Sequence, residues 1–203
     1  MRHITVAITG ASGSIYGVRL IEELLKANCK VSLILTSAGL EVLRYETGLE
    51  WEGSSPAEMQ ALIRDYYGGT TQLIFYGEKE MFAPMASGSS APQAMVIIPC
   101  SMGTLGRIAG GISGNLLERT ADVILKERRD LIIVPRETPL NVIHLENLLR
   151  LSRAGAHILP AMPAFYHRPK TLDDQVNFVI GKVLDSLHVD HSLFPRWGEL
   201  QEY

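Results

Sequence analysis

Ile4-Thr5-Val6-Ala7-Ile8-Thr9-Gly10-Ala11-Ser12-Gly13-Ser14-Ile15-Tyr16-Gly17 changes character twice. Ile4 to Thr9 is an apolar run without polar alternation, the pattern of a strand buried on both faces of a parallel sheet. Gly10 to Gly13 is a small-residue turn. From Ser14 to Ala27 the apolar residues Ile15, Val18, Ile21, Leu24 and Leu25 recur at helical spacing. A buried strand, a small-residue turn and an amphipathic helix are the opening of an α/β fold. Small residues at that junction let backbone N–H groups approach a phosphate at the positive end of the helix. The spacing is not that of a dinucleotide fingerprint.

The alternation continues outward. Lys30 to Leu35 is a second strand, followed by a helix from Ala38 to Thr47, and Pro56 after Ser54-Ser55 opens a helix to Tyr66. Leu73 to Tyr76, Ala94 to Ile98, Leu131 to Val134 and Ala156 to Leu159 read as strands. Leu140 to Ala154 and Leu172 to Leu187 read as helices. The expected fold is α/β, a single-domain, doubly wound (Rossmann/flavodoxin-like), mostly parallel sheet over residues 1–203. Ligands of such sheets sit at the carboxyl ends of the strands, beside the topological switch point.

Composition narrows the function. The chain has 203 residues, of which 46% are hydrophobic and 20% charged, so it can bury a substantial core. A net charge of −3 and a pI near 6.1 argue against nucleic-acid or polybasic membrane partners. Cys29 and Cys100 form no zinc spacing and fit a reducing, cytoplasmic setting. Met1-Arg2-His3-Ile4 enters the first strand without a leader pattern, and no run approaches a membrane span in length.

The residues after each strand carry the chemistry. Thr36-Ser37 follows the second strand, where a dinucleotide enzyme places an acidic residue for the adenosine ribose. A serine there suits the phosphate of a mononucleotide. Pro99-Cys100-Ser101-Met102-Gly103-Thr104-Leu105 follows the central strand, and Ser101 and Thr104 can cap a helix while offering hydroxyls and amides to a ligand. Pro135-Arg136-Glu137-Thr138-Pro139 sets a charged pair between prolines, and the plain alternative is a structural ion pair. Arg119 and Lys126 stand two helical turns apart, on one face. The segment from Met81 to Pro92 is loop-like yet greasy, either a surface loop or the lining of an apolar pocket.

These motifs together resemble the UbiX-type flavin prenyltransferases: Thr9-Gly10-Ala11-Ser12-Gly13, Ser87-Gly88-Ser89, Pro99 to Leu105, Asn115 to Val123, Pro135 to Pro139 and Phe165-Tyr166. The resemblance implies reduced FMN as prenyl acceptor and dimethylallyl monophosphate as donor, with the dimethylallyl group joined to flavin N5 and C6. It implies delivery of prenylated FMN to a UbiD-type decarboxylase, and a homo-oligomer, a dodecamer. It places FMN against Gly10, Ala11, Ser12, Ser37, Ser101, Met102, Gly103, Thr104 and Arg136. It places the donor near Tyr166, Lys182 and Trp197, with Arg119 and Lys126 from an adjoining subunit, and links Glu137, Ser12 and Glu46 to the chemistry. Lys182 stands where some members carry Arg, which keeps the charge but not the bidentate fork.

No metal is expected. Asp173-Asp174 has no third aspartate at the distance a magnesium-diphosphate site needs and lies at a helix start. Fixed cations and a phenol can stabilise a monophosphate leaving group instead. Two other readings compete: an FMN-dependent cysteine decarboxylase of the same fold, which would need a histidine base near the flavin, and a non-enzymatic flavin carrier. Of the six histidines, none follows the first helix-opening loops; His144 falls within a helix, and His188 and His191 are expected at the surface. Phe194-Pro195-Arg196-Trp197 is expected to be an exposed segment able to dock between subunits.

Overall fold

Strands without polar alternation can only be covered on both faces, and this chain builds its sheet from them. The computed structural model describes residues 1–198. Its strands are β1 (His3–Ile8), β2 (Lys30–Leu35), β3 (Leu73–Gly77), β4 (Ala94–Cys100), β5 (Asp130–Pro135) and the short β6 (His157–Ile158). Every residue of β4 is buried. The order is β3-β2-β1-β4-β5-β6 and all five neighbouring pairs are parallel. The chain winds outward from β1 through β2 to β3, then returns to lay β4 on the other side of β1. The switch point is therefore between β1 and β4.

Helices cover both faces: α1 (Ser14–Lys26), α2 (Ser37–Thr47), α3 (Pro56–Tyr66), α4 (Met102–Ala109), α5 (Leu116–Lys126), α6 (Val142–Arg153) and α7 (Leu172–Ser186). Val18, Ile21 and Leu24 of α1 share one core with Leu43, Ile63, Val179 and Val183. Leu105, Ile108, Leu116, Leu117, Ile124 and Leu151 form the other core with Met85. So α1, α2, α3 and α7 lie on one face and α4, α5 and α6 on the other. The greasy loop resolves into two short 3-10 turns in which Met85 is fully buried while Phe82 stands in solvent. Element ends differ from the sequence reading by one or two residues. Thr36 caps α2 at Gly39 N–H, so that helix begins at Ser37 rather than Ala38.

Gly17 sets how close α1 comes to the switch point. A Cβ there would fall 2.6 Å from Ile8 Cδ1 and 2.7 Å from the Ile98 carbonyl oxygen. The oxygen belongs to β4 backbone and cannot yield. Gly17→Ala gains about 1 kcal/mol of helix propensity but overpacks the junction, and the net loss in stability should be about 1–3 kcal/mol. Urea denaturation of the two proteins measures it; equal midpoints would show that α1 can lift off freely.

Candidate functional site

Three helix N-termini converge at the carboxyl edge of the sheet, and what meets each one decides what it can bind. At α1 the cap position is Gly13, which has no side chain to satisfy the first amides. Glu46, near the end of α2, does so instead: its carboxylate accepts from Gly13 N–H at 2.9 Å and Ser14 N–H at 2.9 Å. Burial pushes this carboxyl up, but the Ser12 hydroxyl and the Ser14 and Gly13 amides outweigh it and hold the group below the ordinary glutamate value. The α1 N-terminus, expected to face a phosphate, is thus taken by a carboxylate of the chain itself. Ala11 is buried in this turn while Gly10 and Ser12 face outward.

At α2 the arrangement is similar. The Ser37 hydroxyl donates to Glu78 Oε1 at 2.6 Å, and the Ser37 amide reaches the same oxygen at 3.3 Å. At α4 it is different. Ser101 is the cap, its Oγ accepting from Thr104 N–H at 3.3 Å and donating to Thr104 Oγ1 at 3.1 Å. The Met102 and Gly103 amides meet no acceptor among the described residues. This N-terminus lies at the switch point and is open to an anion. Beside it the Cys100 thiol is pushed up to about 12 by burial, which Arg107 only partly offsets, so it is no nucleophile at neutral pH.

Arg136 leaves β5 and spans the crevice, its Nε donating to the Ser12 carbonyl at 3.0 Å. It forms no ion pair with Glu137 among the described residues; the plain alternative for this pair is not what the fold uses. Glu137 is exposed and, among the described residues, accepts only its neighbour's amide, Thr138 N–H, at 2.9 Å. One carboxylate oxygen is thereby steered while the rest of the group remains accessible for proton transfer.

Tyr166 and Trp197 form a second group, joined to α7, and so to the helix that carries Lys182, through Phe178. Tyr166 packs edge-on against Phe178 of α7 at 5.7 Å and against Trp197 at 4.9 Å between centroids. Lys182 is one helical turn beyond Phe178, on the same face, with its Nζ 3.4 Å from Asp185. Arg119 and Lys126 are elsewhere. They belong to α5 on the opposite face of the sheet, where Arg119 Nε donates to the Ala86 carbonyl at 3.1 Å and Lys126 pairs with Glu127 beside Gly88. Both therefore attend the Ser87-Gly88-Ser89 segment, and a single chain does not unite them with Lys182.

Two expectations about the tail are corrected. Phe194 is 8% exposed, packed on Phe178, rather than free for another subunit. The His191 side chain is 1% exposed and bonded to Asp185, not at the surface. The cause is Gly181 on α7, whose missing side chain leaves room for both rings. Reading the sequence also missed Glu118, 2% exposed and ion-paired with Arg107, whose Nη2 reaches Thr104 Oγ1 at 3.5 Å. The signal was present: Asn115 caps α5, and a glutamate three residues after such a cap is the spacing of a capping box.

A doubly wound sheet with an amide- and hydroxyl-lined crevice at its switch point defines an α/β protein that takes a phosphorylated ligand. The flavoprotein family model matches residues 1–184. A flavin prenyltransferase UbiX of Alkalihalophilus pseudofirmus is 56% identical over 97% of this chain and 96% of its own. The crystal structure of AnUbiX in complex with FMN and dimethylallyl pyrophosphate superposes with a TM-score of 0.85, at 38% identity over 97% of both chains. A dodecameric FMN-dependent UbiX-like decarboxylase from Escherichia coli O157:H7 does so at 0.83, with 38% identity over 96% of this chain and 98% of its own. The chain belongs to the flavoprotein family and, within it, to the UbiX-type flavin prenyltransferases.

Glu46→Gln tests the carboxylate cap on α1. At neutral pH the variant should lose about 1 kcal/mol, the scale of a charge at a partly exposed helix N-terminus. Because the folded carboxyl titrates below its ordinary value, the wild-type advantage is complete above the usual glutamate pKa of about 4.3. It disappears as pH falls through the lower folded value. Urea melts of both proteins at pH 7 and pH 3 should show the gap closing in acid.

Proposed function

We propose that this chain transfers the dimethylallyl group of dimethylallyl monophosphate to N5 and C6 of reduced FMN, and passes the prenylated flavin to a UbiD-type decarboxylase. The observation that supports this reading is the coexistence of two kinds of site. One is an open helix N-terminus at the switch point, suited to a flavin phosphate; the other is a separate cluster of cation, phenol and indole, suited to an allylic phosphate.

The donor set at the crevice fits a mononucleotide. Met102 and Gly103 offer amides, Ser37, Ser101 and Thr104 offer hydroxyls, and Arg136 offers a guanidinium fixed by the Ser12 carbonyl. Gly10, Ala11 and Ser12 would lie along the flavin. Bound there in reduced form, FMN supplies the nucleophilic nitrogen and ring carbon. Lys182 and Tyr166 hold the donor phosphate and stabilise the charge that grows as the C–O bond breaks. Trp197 presents a π face to the developing allylic cation. Glu137, exposed and held by a single amide, moves the proton that ring closure requires; Ser12 and Glu46 keep the α1 turn in place beside it.

The Asp173-Asp174 pair is poorly suited to a magnesium-diphosphate site. Asp174 is the return partner of a capping box, accepting the Lys170 and Thr171 amides. A histidine-based decarboxylation is also poorly served, because His144 is engaged with Asn141 in the capping box of α6.

Arg119 and Lys126 would complete the donor site from a neighbouring copy in a dodecamer. The exposed apolar face of α6, with Val142, Ile143, Leu145 and Leu149 each at least half exposed, supports assembly. No helix of the described residues is long and apolar enough to cross a membrane, and two free buried thiols fit a cytoplasmic location.

Incubation with FMN, reductant and dimethylallyl monophosphate without oxygen should raise the flavin mass by one prenyl unit. Flavin binding without a mass change would favour a carrier. Lys182→Ala should raise the donor requirement about tenfold, or ~1.4 kcal/mol, and leave FMN affinity unchanged. Glu137→Gln should slow turnover about a hundredfold with FMN still bound. At Ser37 the sign is set by charge. Glu78→Gln removes a carboxylate competing with the phosphate and should tighten FMN about fivefold, the scale of ~1 kcal/mol between partly exposed charges. Ser37→Asp should weaken it. Titration of flavin fluorescence reads both. Light scattering showing a fully active monomer would remove the shared donor site.

A further inference from the structure

Gly181, in the middle of α7, is where the C-terminal tail lies down on the protein. A Cβ at this position would fall 2.7 Å from His191 Cε1 and closer still to the Phe194 ring, so these two rings occupy the space of a side chain. Asp185, one turn further along, gathers the same segment by charge. It accepts from His191 Nε2 at 3.1 Å and from Arg196 Nη1 at 2.8 Å, and it lies 3.4 Å from Lys182 Nζ. His191 Nδ1 accepts the Leu193 amide at 3.2 Å. The ring proton therefore sits on Nε2, and a neutral imidazole is enough to donate to Asp185.

The fastening continues to the donor cluster. The Arg196 guanidinium lies 5.6 Å from the centre of the Phe194 ring, and the next residue, Trp197, meets Tyr166 edge-on. Tyr166 is itself set against Phe178, which also packs on Phe194. Burial acts to raise the Asp185 carboxyl, but the hydrogen bonds from Arg196 and His191 outweigh it and keep the group ionised at neutral pH. One carboxylate thus holds two residues of the tail firmly and one lysine more loosely.

We propose that Asp185 is a positioning residue of the donor site: it straps residues 191–197 across α7, sets Trp197 against Tyr166, and holds Lys182 by a contact weak enough to be surrendered to an arriving phosphate. The proposal rests on the reading of Tyr166, Lys182 and Trp197 as the donor site.

Its contacts with the tail and its contact with Lys182 pull donor affinity in opposite directions, which makes the role measurable. If Asp185 only screened Lys182, its neutralisation would free the cation and tighten donor binding. If it fastens the strap, neutralisation releases Trp197 from Tyr166 and weakens donor binding. Gly181→Ala gives an independent route to the same release: it alters no charge and favours the helix, yet it displaces Phe194 and His191.

The test uses the full chain with Asp185→Asn and Gly181→Ala. Trypsin cleavage after Arg196, followed by mass spectrometry without any substrate, should run several-fold faster in both variants than in the wild type. With reduced FMN, the KM for dimethylallyl monophosphate should rise about tenfold in both, while FMN affinity stays at the wild-type value. Unchanged cleavage in both variants overturns the strap. A donor KM that falls in Asp185→Asn and stays unchanged in Gly181→Ala reduces Asp185 to a screen for Lys182 and overturns the positioning role. A wild type that forms no prenylated flavin overturns the donor-site reading instead, and the cleavage rates still decide whether Asp185 fastens the tail.

Discussion

Thr9 is buried at the carboxyl end of β1. Its hydroxyl donates to the Pro99 carbonyl at 2.8 Å and accepts the Ser101 amide at 2.8 Å. These two bonds tie the end of β1 to the end of β4 where the strand order reverses, beyond the last ladder pairs. They fix the angle at which the chain leaves β4 and enters α4. The crevice exists because two parallel strands from distant parts of the chain end side by side and their following loops diverge. Ser101, Thr104, Arg107 and Glu118 extend the tie as one chain of contacts into α5. The open amides of α4 are therefore held by groups on three separate elements.

Charge distribution follows from what each helix start is given. Glu46 serves α1, Glu78 meets Ser37 on α2, Glu58 lies in the first turn of α3, Glu118 in that of α5 and Asp174 in that of α7. Each negative side chain uses the partial positive charge of a helix end for stability. The first turns of α4 and α6 have no acidic residue, but α6 is closed by the Asn141–His144 capping box, whereas the cap of α4 is a single hydroxyl that leaves the Met102 and Gly103 amides open. That N-terminus keeps its field for a ligand, at the one place where the topology also provides a cleft. Among the described residues Glu78 is half-buried and bonded through its side chain only to Ser37, whereas Glu46 holds the amides of both Gly13 and Ser14, so a phosphate can compete for the Ser37 donors more readily than for those held by Glu46.

The cations are split by the sheet. Lys182 lies with α1 and α7 on one face, Arg119 and Lys126 with α4 and α5 on the other. This division fits a site completed across subunits, and the uncovered apolar face of α6 lies on the side of Arg119. The tail adds a different kind of completion, within one chain, by carrying an indole onto a tyrosine through a glycine and a carboxylate on α7.

The sequence by itself determined the layers, the order of strands and helices along the chain, and the small-residue turns at the strand ends. Those properties are local: apolar runs demand a buried strand, 3.6-residue periodicity demands a helix, and small residues at strand ends demand a tight turn. Glu46 at the α1 amides, Glu78 on Ser37, Arg107 with Glu118, and His191 beneath the tail were decided only by tertiary structure. Each joins residues from separate elements, 33 positions apart in the case of Gly13 and Glu46. Nothing in the local pattern separates a glutamate that caps a foreign helix from one facing water, because the two differ only in what the fold places opposite them. The buried tail makes the same point. Phe194 and Trp197 looked alike as exposed aromatics, yet a glycine on another element lets one be buried, while the other stays largely exposed and meets Tyr166 only edge-on.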